Sequence, residues 1–77
     1  MPVKKIVEYH INRLKDKNAE LRIKAIKELE LLADPDSLQA LQDVFESDDN
    51  ADVRKAAQKA GRTVFLKNND ASENNVS

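Results

Sequence analysis

Three groups of residues in this 77-residue chain are of types that do chemistry. The first is His10, the only histidine, in a chain without cysteine. A lone imidazole lacks the further ligands of a zinc site, and without thiols there is no disulfide, cysteine nucleophile or thiolate metal site. His10 shares a helical stripe with Val3, Val7 and Leu14, so it is expected as a partly buried, hydrogen-bonded ring. The second group is Asp48-Asp49-Asn50-Ala51-Asp52, whose carboxylates suggest calcium. It has neither the glycine that bends an EF-hand loop nor a glutamate at the right distance. Helix capping, with acid at a positive helix end, accounts for it better. No Ser/His/Asp set at helical spacing and no glycine-rich phosphate loop is present. No catalytic residue, cofactor or metal ligand is therefore assigned, and the chain is expected not to be an enzyme.

The third group is a pair of pairs. Asp16 precedes Arg22 by six residues, and Asp48 precedes Arg54 by six. An arginine beside an apolar helical position is ordinarily a solvated charge. Recurrence with equal spacing is harder to assign that way, and it directs attention to the elements that carry these residues.

Apolar or near-apolar residues recur at Val3, Ile6, Val7, His10, Ile11 and Leu14, then at Leu21, Ala25, Ile26, Leu29, Leu32 and Ala33. A third stripe is Leu38, Leu41, Val44 and Phe45, and a fourth is Val53, Ala56, Ala57, Ala60 and Val64. Each has the 3.6-residue period of a half-buried helix. Asn18 is placed to cap the second helix, and Asp34 the third, with Pro35 at its first helical position. The pattern predicts helices over 3–15, 19–33, 35–46 and 51–67. Short loops turn each helix back on its neighbour. Residues 68–77 include four Asn and, beyond Ala, one apolar residue, so they are expected to form a disordered tail.

The second and fourth helices begin alike. Asn18-Ala19-Glu20-Leu21-Arg22-Ile23-Lys24-Ala25 lies 32 residues before Asn50-Ala51-Asp52-Val53-Arg54-Lys55-Ala56-Ala57. With Leu32-Ala33-Asp34-Pro35 at the junction, the unit resembles the HEAT repeat, in particular the short HEAT-like repeat of phycobilisome lyase subunits. Tetratricopeptide repeats are the rival, but their Trp-Leu-Gly-Tyr signature is missing from both first helices. The resemblance covers about residues 3–67. It implies an all-α fold of two HEAT-like helical hairpins, four antiparallel helices in a short α-α superhelix. Residues 1–67 would form one domain, with repeats over about 3–33 and 35–67. It also implies that Asp16, Arg22, Asp48 and Arg54 form a structural ladder bonded between stacked repeats. In such repeats the second helix lines the concave surface, which here would include Ile23, Lys27, Glu30, Lys55, Lys59 and Arg62. Gly61 stands where the first repeat has Leu29.

Charge is distributed in blocks. Residues 1–27 carry a net +5, residues 28–52 carry nine acidic groups and no basic one, and residues 53–69 carry five basic groups and no acidic one. Part of this matches helix dipoles, although Lys4 and Lys5 sit at a helix N-terminus, where cations are unfavourable. Recognition of a protein with a complementary patch is the functional reading. The alternative of another class is nucleic-acid binding through Lys24, Lys27, Lys55, Lys59 and Arg62. The acidic third helix, without a basic residue, speaks against it.

Tyr9, near Ile6 and Arg13, is a candidate anchor, and Ile23 and Leu31 fall off the stripe of the second helix. Val64-Phe65-Leu66 cannot all face one core, and Leu66 shares a face with Lys55, Lys59 and Arg62. The fourth helix is therefore an expected interaction surface, for another protein or for a second copy in a homodimer. No apolar run is long enough to span a membrane, and the start lacks the apolar region of a secretory signal, so a cytoplasmic location is expected. The chain is read as a small protein-interaction module or accessory scaffold. An accessory role in phycobilisome pigment attachment or turnover is the alternative that the resemblance brings.

Overall fold

A computed structural model describes the backbone of residues 3–76 and the side chains of residues 4–69. It contains α1 (Val3–Arg13), α2 (Ala19–Leu32), a 3-10 turn (Pro35–Ser37), α3 (Leu38–Ser47) and α4 (Ala51–Val76). No strand is present among the described residues, and the fold is all-α.

Each boundary has a local cause. Asn18 holds an extended conformation, and its side chain accepts from the Glu20 N–H at 2.8 Å, which starts α2. Asn50 does the same for α4, accepting from the Asp52 N–H at 2.8 Å. α2 stops at Ala33, whose backbone turns left-handed at φ 52 while its N–H still reaches the Leu29 carbonyl. A left-handed cap is ordinarily glycine's position, because a Cβ there meets backbone.

Asp34 caps as expected, accepting from the Asp36 N–H at 2.8 Å, but what it caps is the 3-10 turn. The α-helix starts at Leu38 and not at 35. The Ser37 hydroxyl, fully buried, donates to the Asp34 carbonyl at 2.8 Å and holds this tighter turn.

At the other end α4 runs to Val76, nine residues past the expected end at 67. The backbone of 68–76 is helical where a disordered tail is expected from composition. No Pro or Gly follows Gly61 to stop the helix. Asn68 also bridges two carbonyls, donating to Val64 at 2.8 Å and to Ala33 at 3.1 Å. Ser77 and the side chains of 70–77 lie outside the described residues.

The core is one cluster. Val7, Leu14, Ala25, Ile26, Leu29, Leu41, Val53, Ala57, Ala60 and Val64 are buried. α4 lies at its centre, packed on both α2 and α3, while α1 packs on α2. Ala57 and Ala60 let α4 approach its neighbours closely, and Ile26, Leu29 and Leu41 fill the space so made. The outer ends of α1 and α3 remain apart, leaving a groove with Ile11, Leu14, Ala40 and Val44 on its walls.

Candidate interaction surface

The two inter-helix turns are built identically. Asp16 accepts from the Asn18 N–H at 2.8 Å, and Arg22 donates through Nη1 to the Asp16 carbonyl at 2.8 Å. Thirty-two residues on, Asp48 accepts from the Asn50 N–H at 2.9 Å, and Arg54 donates through Nη1 to the Asp48 carbonyl at 2.7 Å. Arginine at the first turn of the second helix thus closes its own loop through one nitrogen.

For Arg22 the other nitrogens meet the next repeat. Nη2 donates to Asp48 Oδ1 at 3.1 Å, and Nε lies 3.0 Å from Oδ2 without the alignment of a hydrogen bond. Both side chains are about nine-tenths buried, with exposures of 12% and 10%. A second contact, to Asp49 at 3.4 Å, is to a side chain that is 95% exposed. Burial pushes the Asp48 carboxyl upward, but the Asn50 N–H and the Arg22 guanidinium outweigh it and hold the group below the usual carboxylate range. The structure therefore brings Arg22 and Asp48 together across the repeats. Asp16 and Arg54, expected in the same ladder, bond only within their own turns among the described residues, because neither has a further repeat packed against it there.

A second tie joins the repeats at the opposite end. Lys4 lies 3.0 Å from Asp34 and 2.6 Å from Asp36. Expected as an unfavourable cation at a helix start, it pairs instead with the carboxylates that open the second repeat. Hydrogen bonds to Asp36 and then Asp34 raise the Lys4 ammonium's pKa. The Asp36 N–H, followed by Lys4, lowers that of Asp34.

The candidate partner-binding residues divide into two sets. Ile23 is half-buried against the core, and Glu30 accepts from the Thr63 hydroxyl at 2.8 Å, which ties α2 to α4. Lys27, Lys55, Lys59, Arg62 and Leu66 are exposed. Positions 55, 59, 62 and 66 follow one helical stripe, and Lys27 is the equivalent of Lys59 in the first repeat. None of these four cations makes an ion pair among the described residues. The surface is narrower and more basic than the sequence indicates.

Other residues land differently. His10 is half-buried, edge-on to the Tyr9 ring at 5.1 Å, but its Nδ1 is buried without a hydrogen-bond partner, contrary to the bonded ring expected. Tyr9 stays exposed and accepts from Arg13 at 3.0 Å. Phe45, expected on the core stripe of the third helix, is exposed instead, and Phe65 points away from the core beside Val64. They flank a hollow between α3 and α4 that also exposes Leu38, Gln42 and Gly61. The missing Leu29 equivalent at Gly61 was the signal for it. Among the described residues no cluster of His, Cys, Asp or Glu could hold a metal ion, and no helix is long and apolar enough to cross a membrane.

In comparisons with known proteins, a family model for HEAT repeats matches residues 1–61. No curated protein and no solved structure matches the chain.

Proposed function

The chain belongs to the HEAT-repeat family, and from that premise we propose that it is a small protein-interaction scaffold that holds an acidic segment of another protein across α2 and α4 and carries out no reaction of its own. The observation behind this reading is the exposed set Lys27, Lys55, Lys59 and Arg62, unpaired within the described residues, with Leu66 49% exposed on the same stripe. Cations without intramolecular partners keep their field available to an encounter partner, and an apolar neighbour supplies the burial that screened charges lack. A partner presenting Asp and Glu around one large apolar side chain suits it.

The test is fluorescence anisotropy with a labelled acidic peptide carrying a central Leu. Lys59→Glu with Arg62→Glu should weaken binding at least about tenfold, or ~1.4 kcal/mol. Tighter binding of random duplex DNA, falling steeply with salt, would replace this reading with nucleic-acid recognition. Failure of both ligands to bind would remove the face from consideration. The 32-residue repeat offset, shorter than the ~40–47 of full-length HEAT repeats, favours one second reading, an accessory role in phycobilisome pigment attachment or turnover. Its test is a visible absorbance change on mixing with a bilin.

A further inference from the structure

We propose that this chain associates with copies of itself head to tail, the Arg54 guanidinium of one copy pairing with Asp16 of the next. The template is inside the molecule. Arg22 closes its own turn through Nη1, donates through Nη2 to Asp48 of the following repeat and sets Nε 3.0 Å from the same carboxylate. Arg54 closes its turn in the same way. Among the described residues its other nitrogens meet no carboxylate. The Asp16 carboxylate matches that of Asp48 in accepting from the N–H two residues on, and it has no other partner among the described residues. One end of the chain thus presents the donor half of the Arg22–Asp48 bond, and the other end presents the acceptor half.

The flanks around these halves agree. The α3–α4 flank exposes Phe45 and Phe65, at 36% and 53%, around a hollow at Gly61. In the first repeat that position is Leu29, fully buried. Tyr9 and Leu31, on α1 and α2, are 55% and 74% exposed. Glu28, beside Tyr9 in a hollow of its own, is in no ion pair among the described residues, while α4 brings Arg62 to the rim of the other hollow. Aromatic and aliphatic surface can then meet, with a carboxylate opposite a cation.

A two-fold dimer through the α3–α4 flank would set Arg54 and Arg62 of both copies on one interface and leave Asp16 unused. Pairing of unlike ends satisfies each half. Such a contact is heterologous, so it builds open chains unless its rotation closes a ring. It shares Arg62 with the proposed partner face but leaves Lys27, Lys55 and Lys59 outside the contact, so the Lys59→Glu control separates the two surfaces.

Sedimentation velocity of the full chain from micromolar to millimolar concentration tests the proposal. The weight-average mass should rise continuously beyond that of a dimer. Asp16→Asn keeps the oxygen that accepts from Asn18 but removes the charge, and Arg54→Gln removes the guanidinium and its charge. Each variant alone should associate at least about tenfold more weakly, a loss of one ion pair at a contact. An equimolar mixture should form a dimer and stop there, because each variant retains one intact end. Phe65→Glu alters a side chain that is mostly in water and should also give monomers, while Lys59→Glu should assemble as wild type does. Circular dichroism reports whether each variant is folded. If Arg54→Gln unfolds, Phe65→Glu with Leu31→Glu repeats the mixing test without touching the turns. A wild type monomeric at millimolar concentration would overturn the proposal. So would a dimer unaffected by Asp16→Asn, or a mixture that remains monomeric.

Discussion

Replacing Arg22 by alanine should remove a large share of the protein's stability. The substitution deletes hydrogen bonds to the Asp16 and Lys17 carbonyls, at 2.8 and 3.2 Å, and the paired contact with Asp48. It leaves the Asp48 carboxylate, whose side chain is only 10% exposed, with the Asn50 N–H as its main remaining bond. Breaking a buried pair by removing one partner costs about 3–5 kcal/mol. Water entering behind the shortened side chain relieves part of that, so about 2–4 kcal/mol is expected. The exposed Asp49 contact adds little, since such pairs are worth at most ~1 kcal/mol. A core of this size rarely supplies more than ~3–5 kcal/mol. The urea midpoint should therefore fall by about 2–4 M, for a slope near ~1 kcal/mol/M. Two comparisons isolate the cause. Arg54→Ala removes the equivalent bond within its own turn but no cross-repeat carboxylate, and should cost only about 1 kcal/mol, an ordinary hydrogen bond. Lys24→Ala, on an exposed side chain, should cost less than about 0.5 kcal/mol. In a double-mutant cycle, Arg22→Ala and Asp48→Asn should show a coupling of at least about 1 kcal/mol. Equal midpoints for Arg22→Ala and Arg54→Ala, or additive effects in the cycle, would refute the assignment of stability to the inter-repeat pair.

Gly61→Ala should stabilise the fold by about 0.5–1 kcal/mol, because glycine inside a helix is entropically costly. Its added Cβ meets only the Leu41 Cβ, at 4.0 Å; the check is a rise in Tm. Ala33→Gly should also raise the urea midpoint, since the left-handed residue costs roughly 1–2 kcal/mol and glycine returns part of that as unfolded-state entropy. Asp48 and Asp34 have lowered folded-state pKa values, so their contribution is present above the unfolded carboxylate pKa and is lost as pH falls through the folded values. Urea midpoints should hold near neutrality and drop below about pH 4, where carboxylates protonate, with a smaller drop for Asp48→Asn.

Much of this architecture is local, and the sequence by itself determined it. The 3.6-residue stripes, Asn18 and Asn50 as caps and the 32-residue recurrence depend on residues within a turn or two of one another. Four helices in two hairpins followed from periodicity and short loops, as did the equal offset of Arg22 and Arg54. The HEAT-repeat match over residues 1–61 rests on the same residues. Other features exist only when distant segments meet. Lys4 reads as a misplaced cation until Asp34 and Asp36, thirty and thirty-two residues away, arrive beside it. Ile23 and Glu30 read as surface residues until the assembled core half-buries one and Thr63 bonds the other. The end of α4 illustrates the same division. Composition argues for a coil from residue 68; the structure shows the Asn68 side chain reaching the Ala33 carbonyl 35 residues back and the backbone of α4 extending to Val76. Spacing identified Arg22 and Arg54 as equivalents. Only packing distinguished them, because the second repeat's Asp48 lies against the first, and nothing in the described chain follows Arg54 to do the same.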